Sequence, residues 1–315
     1  VGSGIPDRLV QDRDPPGTLL AFDFRTGARR WSWHSVPAAG ESGSESWEPG
    51  ATERVGHANV WSPMTVDTAR GLVFANVSAA SNDFYGGRRK GANLYSESLV
   101  CLDAATGKLR WHFQYVHHGL WDYESGAPPM LITIAHGGAL RDVVAVPGKT
   151  GFLYVFDRVN GTPLWPIEER PVPASDVPGE EAWPTQPHPT WPPPFTQQGI
   201  SENDLLDFTP RVRELVREQM KGVKLGRMFE PPSREGTALL PGWMGGAGWG
   251  GGAFSPDRQR LFVKATRNPV LARVVPVDSA SNGPARYMMD YREPPDRTLD
   301  IELPRRHRYF KWKTE

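Results

Sequence analysis

The stretch Cys101-Leu-Asp103-Ala-Ala-Thr106-Gly107-Lys-Leu-Arg-Trp111 decides how the rest of the chain is read. Its pattern is apolar-x-Asp-x-x-Thr-Gly-x-x-x-Trp. The same pattern stands at Ala21-Phe-Asp23-Phe-Arg-Thr26-Gly27-Ala-Arg-Arg-Trp31, and at Val155-Phe-Asp157-Arg-Val-Asn160-Gly161-Thr-Pro-Leu-Trp165 with Asn for Thr. Each copy predicts a strand ending at the Asp, whose side chain bonds backbone amides two residues on. A Gly then supplies positive φ, and a second strand follows whose Trp wedges between neighbouring sheets. Asp23, Asp103 and Asp157 are spaced by 80 and 54 residues, so the repeat is irregular, with insertions in its loops. Hairpins carrying a Trp at such spacing suggest propeller blades. A weaker fourth copy without Trp runs from Val277-Asp278 to Asn282-Gly283.

Composition agrees with this reading. The 315 residues include 33 Gly and 31 Pro, together about a fifth of the chain, and 12 Trp. Average usage is about 7% Gly and about 5% Pro, so the excess argues against a helical bundle and for short strands with tight turns. Lys plus Arg and Asp plus Glu each number 36. Zero net charge removes the basic footprint of a nucleic-acid binder and gives no reason for docking on anionic lipid. Apolar runs fall far short of the roughly 20 residues of a membrane span. A single Cys, Cys101, excludes an internal disulfide framework and a Cys-cluster metal site.

Strands are expected at Thr18 to Phe24, Gly71 to Val77, Ser98 to Asp103, Val143 to Val146, Phe152 to Asp157 and Arg260 to Lys264. Two regions break the pattern. Residues 166–194 hold 10 Pro in 29 positions and read as an extended surface excursion. Residues 201–221 read as a small helical insert covering a blade edge. There Ser201 with Asp204 resembles a capping box, and Thr209-Pro210 makes a second start. Val212, Leu215, Val216 and Met220 form the apolar stripe, which Gly222 stops.

Chemistry concentrates in Val116-His117-His118-Gly119-Leu120-Trp121-Asp122-Tyr123-Glu124. Alone, either His reads as a solvent-facing loop residue. Adjacent strand residues point to opposite faces, so the two do not suggest a metal site. Asp122 is the sharper candidate: with Lys149 returning one strand later, it reads as a base held ionised by a cation.

At these residues the sequence resembles the quinoprotein dehydrogenases, eight-bladed propellers that bind pyrroloquinoline quinone. The three Asp-x-x-Thr/Asn-Gly-x-x-x-Trp turns look like that family's tryptophan-docking motifs. His117-His118-Gly-Leu-Trp121-Asp122 with Lys149 looks most like the membrane-type glucose dehydrogenase branch. Supporting stretches include Asn59-Val-Trp61-Ser-Pro, Tyr85-Gly86-Gly87, Pro184-Thr-Gln186-Pro187, Phe229-Glu-Pro-Pro232 and Leu240-Pro241-Gly242. The resemblance implies an all-β fold forming part of an eight-bladed propeller, one partial domain over residues 1–315. About four to five blades fit this length, so the chain is expected to be an incomplete copy.

The resemblance also implies roles. Asp122 matches the general base, and a neighbour or ligand of a divalent cation, Ca²⁺ or else Mg²⁺. Lys149 matches the residue that hydrogen-bonds the quinone carbonyls. Trp61 matches the ring beneath the planar cofactor, a use suited to its π surface. Asp7 aligns roughly with a cation ligand. Ala79 stands where some branches supply an Asn ligand, and Asn82 or Asp83 are its nearby substitutes. Trp249, within the Gly245 to Gly252 run, and Asn268 lie where the family returns to the cofactor. The implied activity is oxidation of an aldose, polyol or alcohol, with electrons passing to ubiquinone or a cytochrome in the bacterial periplasm. Membrane association would come only through segments outside this chain. No Cys-x-x-Cys-His haem signature appears. Two alternatives stand beside this reading: a non-catalytic propeller scaffold, and a quinoprotein dehydrogenase of simple alcohols, whose vicinal Cys pair is absent here.

Overall fold

The computed structural model describes residues 1–2, 10–277 and 285–290. Strands dominate. A hairpin of β1 (Thr18–Phe22) and β2 (Arg29–His34) comes first, followed by the short helix α1 (Ala51–Arg54). A four-stranded antiparallel sheet then forms from β3 (Thr65–Asp67), β4 (Leu72–Val77), β5 (Ser98–Asp103) and β6 (Leu109–Gln114), in that order. A three-stranded sheet follows, built from β7 (Met130–His136), β8 (Ala139–Pro147) and β9 (Leu153–Asp157). Next come the hairpin of β10 (Ile167–Pro171) with β11 (Thr185–Pro189), and helix α2 (Pro210–Gln219). Strand β13 (Thr237–Leu239) pairs in parallel with β12 (Lys224–Leu225) and antiparallel with β16 (Val270–Ala272), and between β13 and β16 in sequence comes the hairpin β14 (Gly252–Ser255) with β15 (Arg260–Val263). Strand β17 (Val274–Pro276) pairs with β18 (Tyr287–Met289).

The repeated turns are built alike. Asp23, Asp103 and Asp157 each accept two backbone amides through Oδ1, at distances between 2.9 and 3.1 Å. The Gly of each turn has φ of 71°, 71° and 73°. The Trp of one repeat sits on the turn of the next. Trp31 Nε1 donates to the Ala104 carbonyl at 2.9 Å, and Trp111 Nε1 to the Arg158 carbonyl at 3.3 Å. A Cβ on Gly107 would lie 2.6 Å from the Trp31 ring, and one on Gly161 2.5 Å from the Trp111 ring. Glycine is therefore required twice over, for the left-handed backbone and for the indole above it. Gly27 has no such neighbour within 4 Å among the described residues.

Burial follows from these contacts. One core cluster joins Phe74, Leu99, Trp111, Tyr115, Trp121, Tyr154 and Phe156 across the β3–β6 and β7–β9 sheets. Arg158 fastens the same two sheets, bonding Asp67 at 3.1 Å and the Ile132 carbonyl at 3.1 Å.

Two expectations need correction. The third repeat does not complete its second strand: after Gly161 only a bridge between Phe156 and Pro163 forms. Pro163 and Pro166 lack the N–H a ladder needs, and Trp165 instead packs edge-on to His136. The Pro-rich excursion is not purely a surface feature. It contains the β10–β11 hairpin, and its far part buries Val177 and Glu180 against the main body. The helical region has the two starts expected: a 3₁₀ turn at Glu202–Asp204 with the Ser201–Asp204 capping box, then α2 capped by Thr209. The intervening Leu205 and Leu206 are buried with Val212, Val216 and Met220 against Ala238 of β13. The weaker fourth copy, from Val277-Asp278 to Asn282-Gly283, lies outside the described residues from Asp278 on.

Candidate active site

The segment after β6 is held by its aromatic residues. Trp121 is fully buried, donates through Nε1 to the Glu230 carbonyl at 2.8 Å, and packs edge-on to Phe229. Tyr123 is buried beside it and donates its hydroxyl to the Pro241 carbonyl. With Trp121 and Tyr123 in the core, the alternating residues Asp122 and Glu124 turn the other way, towards Lys149. Asp122 takes the left-handed conformation, φ 58°. Lys149 comes from the turn between β8 and β9, where Gly148 N–H donates to the Phe152 carbonyl at 2.9 Å.

Lys149 Nζ lies 2.9 Å from Asp122 Oδ1 and 3.0 Å from Glu124 Oε1. The ammonium also stands 5.7 Å from the centre of the Trp61 ring. Trp61 Nε1 donates to the same Glu124 oxygen at 3.1 Å. Gly126 fits beneath Trp61, where a Cβ would approach the ring to 2.7 Å. Trp249 stacks on Trp61 with ring centres 5.8 Å apart and planes inclined by 28°. Asp122, Lys149, Trp61 and Trp249 are thus brought together. The Asp122 side chain keeps 19% of its exposure while Glu124 keeps 2%, so Asp122 is the member of the pair nearer solvent.

The charges distribute unevenly. Burial, the Glu124 charge and, to a lesser extent, Asp83 raise the Asp122 pKa well above the ordinary carboxylate range, against the opposing pull of Lys149. For Glu124, burial acts upward, but the Lys149 charge and the Asp122 hydrogen bond outweigh it and the net shift is downward. For Lys149, burial acts downward and is overcome by the two carboxylates, so the ammonium is retained. Two buried carboxyls thus press on one cation, and their shifts run in opposite directions, Asp122 upward and Glu124 downward. Lys149 meets Asp122 as the sequence suggests, and a second carboxylate, Glu124, shares the same cation.

The Gly-rich run also packs against the cation. Gly245 packs on Lys149, where a Cβ would come within 2.4 Å of its side chain, and Gly246 N–H donates to the Lys149 carbonyl at 2.7 Å. These contacts fix the cation. Asn268 is anchored through its backbone, its carbonyl accepting from Gly242 N–H at 3.1 Å. Asn82 is occupied structurally: Nδ2 donates to the Tyr287 carbonyl and Oδ1 accepts from Phe84 N–H, both at 3.1 Å. Asp7 lies outside the described residues. Among the described residues no group of three or more His, Cys, Asp or Glu is arranged to hold a metal ion.

The His pair is internal architecture. His118 is fully buried, with Nδ1 2.8 Å from the Gly91 carbonyl and Nε2 2.6 Å from Glu180 Oε1 of the Pro-rich excursion. His117 meets Gln114 at 2.8 Å and Glu169 at 3.0 Å. Neither behaves as the solvent-facing loop residue expected. Sequence reasoning did not single out Glu124 as a site residue. Its signal was the i, i+2 spacing from Asp122 between two aromatic anchors.

The sequence matches, over residues 1–303, the profile described as "PQQ: Glucose/ethanol/alcohol dehydrogenase, beta-propeller domain". The chain belongs to this family of quinoprotein dehydrogenase propellers. It is 32% identical over 269 residues to a quinate/shikimate dehydrogenase (quinone) of Acinetobacter baylyi, covering 85% of this chain and 33% of that protein. To a quinoprotein glucose dehydrogenase of Escherichia coli it is 31% identical over 271 residues, covering 84% and 33%. The crystal structure of a quinohemoprotein alcohol dehydrogenase from Comamonas testosteroni superposes with a TM-score of 0.62 at 23% identity, covering 95% of this chain and 41% of that one. That likeness shows the propeller fold. The chain spans about a third of the length of the curated relatives it matches. Among the described residues no helix is long and apolar enough to cross a membrane.

Proposed function

We propose that this chain carries the proton-abstracting part of a dehydrogenase that oxidises a sugar, polyol or related alcohol with pyrroloquinoline quinone. The observation that supports it most is the buried cation Lys149, shared by the Asp122 and Glu124 carboxyls and lying against the ring of Trp61. Unlike the structural pair Arg158–Asp67, this cluster leaves one carboxyl, Asp122, partly open to solvent. The residue types suit the cofactor: Trp61 would offer a π face to a planar ring system once Trp249, now stacked on it, swings aside, and the Lys149 ammonium would offer a donor to carbonyl oxygens. Trp249 and Asn268 would border the same ligand. When bound, the quinone supplies the hydride acceptor.

The chain's own part is the proton. In this reading the two carboxyls beside the single Lys149 cation share one proton: Asp122, the member nearer solvent, gives it up to Glu124 and accepts the substrate hydroxyl proton. Both carboxyls end neutral, and the charge of Lys149 is freed to stabilise negative charge developing on a bound carbonyl oxygen. A divalent cation would draw on Asp122 and Asp7. The described residues do not form a cage for one, and no step is assigned to it. The electron acceptor in this reading is a quinone or a cytochrome, and the compartment is the bacterial periplasm.

The test is reconstitution. Pyrroloquinoline quinone with Ca²⁺ is titrated into the protein while Trp fluorescence is followed. Aldoses, polyols, quinate and simple alcohols are then offered with an artificial electron acceptor. Cofactor uptake followed by sugar- or polyol-dependent dye reduction is expected. Failure to take up cofactor would overturn the proposal.

A further inference from the structure

Glu97, just before β5, is a fully buried carboxyl outside the cluster described above. Its backbone is left-handed, φ 47°, and pinned on both sides: its N–H donates to the Ser78 carbonyl at 3.0 Å and its carbonyl accepts from Tyr115 N–H at 2.7 Å. Its side chain turns into the loop that carries Asp122. Oε1 accepts from Tyr123 N–H at 3.1 Å. Oε2 has no hydrogen-bond partner. Instead it fills the space beside Gly119, where a Cβ would lie 1.3 Å from it. The loop from Gly119 to Glu124 is thus seated on the Glu97 carboxyl at two points, one of them the peptide that joins Asp122 to Tyr123.

We propose that Glu97 is a positioning residue for the Asp122–Glu124 proton-accepting pair, acting through the Tyr123 amide rather than by taking a proton itself. The proposal rests on the reading of that pair given above. Two features set it apart from ordinary core packing. Asp122 holds a left-handed backbone, which a non-glycine residue keeps only when its surroundings over-determine it. The bond to the amide between Asp122 and Tyr123 fixes the orientation of that peptide. The second feature is charge. Burial and the neighbouring Glu124 push the Glu97 carboxyl up to about 8, against the opposing charges of Arg89 and Lys149. Near neutral pH it is therefore a neutral acid, an acceptor of the right length that adds no second anion to compete for Lys149.

The experiment compares Glu97→Gln, Glu97→Asp and Glu97→Ala in the full chain. Gln keeps the length and the acceptor oxygen. Asp keeps the acid but draws it back by one methylene. Positioning predicts that Gln behaves as wild type and that Asp and Ala do not. Hydrogen exchange of the Tyr123 amide in the cofactor-free protein is the first readout: fast in Asp and Ala, protected in Gln. Turnover with quinone, Ca²⁺ and sugar is the second. A misplaced catalytic group costs on the order of tenfold to a hundredfold, expected in kcat with KM little changed for Asp and Ala. Rescue by Asp but not Gln would show that Glu97 acts as an acid and would overturn the proposal, as would a Gln variant that fails to fold. Absence of turnover in wild type would count against the functional reading; the exchange comparison would still decide whether Glu97 seats the loop.

Discussion

Replacing Lys149 with Met removes the charge but keeps most of the volume, and its cost can be worked from the site. Lys149 and Glu124 keep 8% and 2% of their side-chain exposure, and the ammonium bonds both carboxyls at 2.9 and 3.0 Å. Without it, the Asp122–Glu124 pair retains one buried, uncompensated negative charge. Removing one partner of a buried ion pair costs about 3–5 kcal/mol. The pair has an escape, which is to bind a second proton. Against an ordinary glutamate value of 4.5, protonation at pH 7 costs about 3.4 kcal/mol, at about 1.4 kcal/mol per pH unit. That caps the penalty near the lower end of the range. At pH 5 the same arithmetic leaves about 0.7 kcal/mol, plus the lost hydrogen bonds. Lys149→Met should therefore be destabilised by about 3 kcal/mol at pH 7 and by much less at pH 5. Urea unfolding followed by Trp fluorescence and circular dichroism at both pH values reads this. An equal loss at the two pH values, or less than about 1 kcal/mol at pH 7, would refute the shared-proton description of the site.

Other consequences follow from the same geometry. Gly161→Ala forces a Cβ against Trp111 at φ 73°, whereas Gly27→Ala meets nothing within 4 Å at φ 71°. The left-handed backbone costs each about 1–2 kcal/mol; Gly161→Ala should lose about 1–2 kcal/mol more as the indole bond to Arg158 is broken, read as the difference between the two urea midpoints. Glu97 is raised when folded, so its contribution to stability is full below the ordinary glutamate value of 4.5 and is lost as pH rises through about 8. Melting temperature should fall over that window in wild type, and less steeply in Glu97→Gln. Glu180 has the opposite sign: burial raises it, but the His118 bond and charge together with Arg89 bring the net shift below its ordinary value. Its contribution is present above the unfolded carboxylate pKa and lost as pH falls through the folded one. Glu180→Gln should flatten that acid limb of a thermal-melt series.

Much of this was legible in the chain. The three Asp-turn-Gly-Trp segments announce their strands because each turn is local, closed by one side chain and one glycine. What the turn does not encode is its partner: that Trp31 rests on Gly107 and Trp111 on Gly161 is set by sheet packing. The third repeat misleads because Pro163 and Pro166 remove the donors its second strand needs. At the site, Asp122 and Lys149 stood out by charge and spacing. Glu124 and Glu97 did not, since a carboxyl's burial depends on what folds over it from afar. His118 likewise looked exposed until Glu180, 62 residues later, closed on it. Asp7 falls outside the described residues, so its part rests on the resemblance alone.

On the proposed function, the Asp122–Glu124 pair takes the substrate proton beside a quinone held by Trp61 and Lys149. The most direct test is Asp122→Asn, reconstituted with pyrroloquinoline quinone and Ca²⁺, with cofactor binding and sugar-dependent dye reduction measured on the same sample. Binding like that of wild type with dye reduction abolished is the predicted result. Turnover at the wild-type rate would contradict the claim.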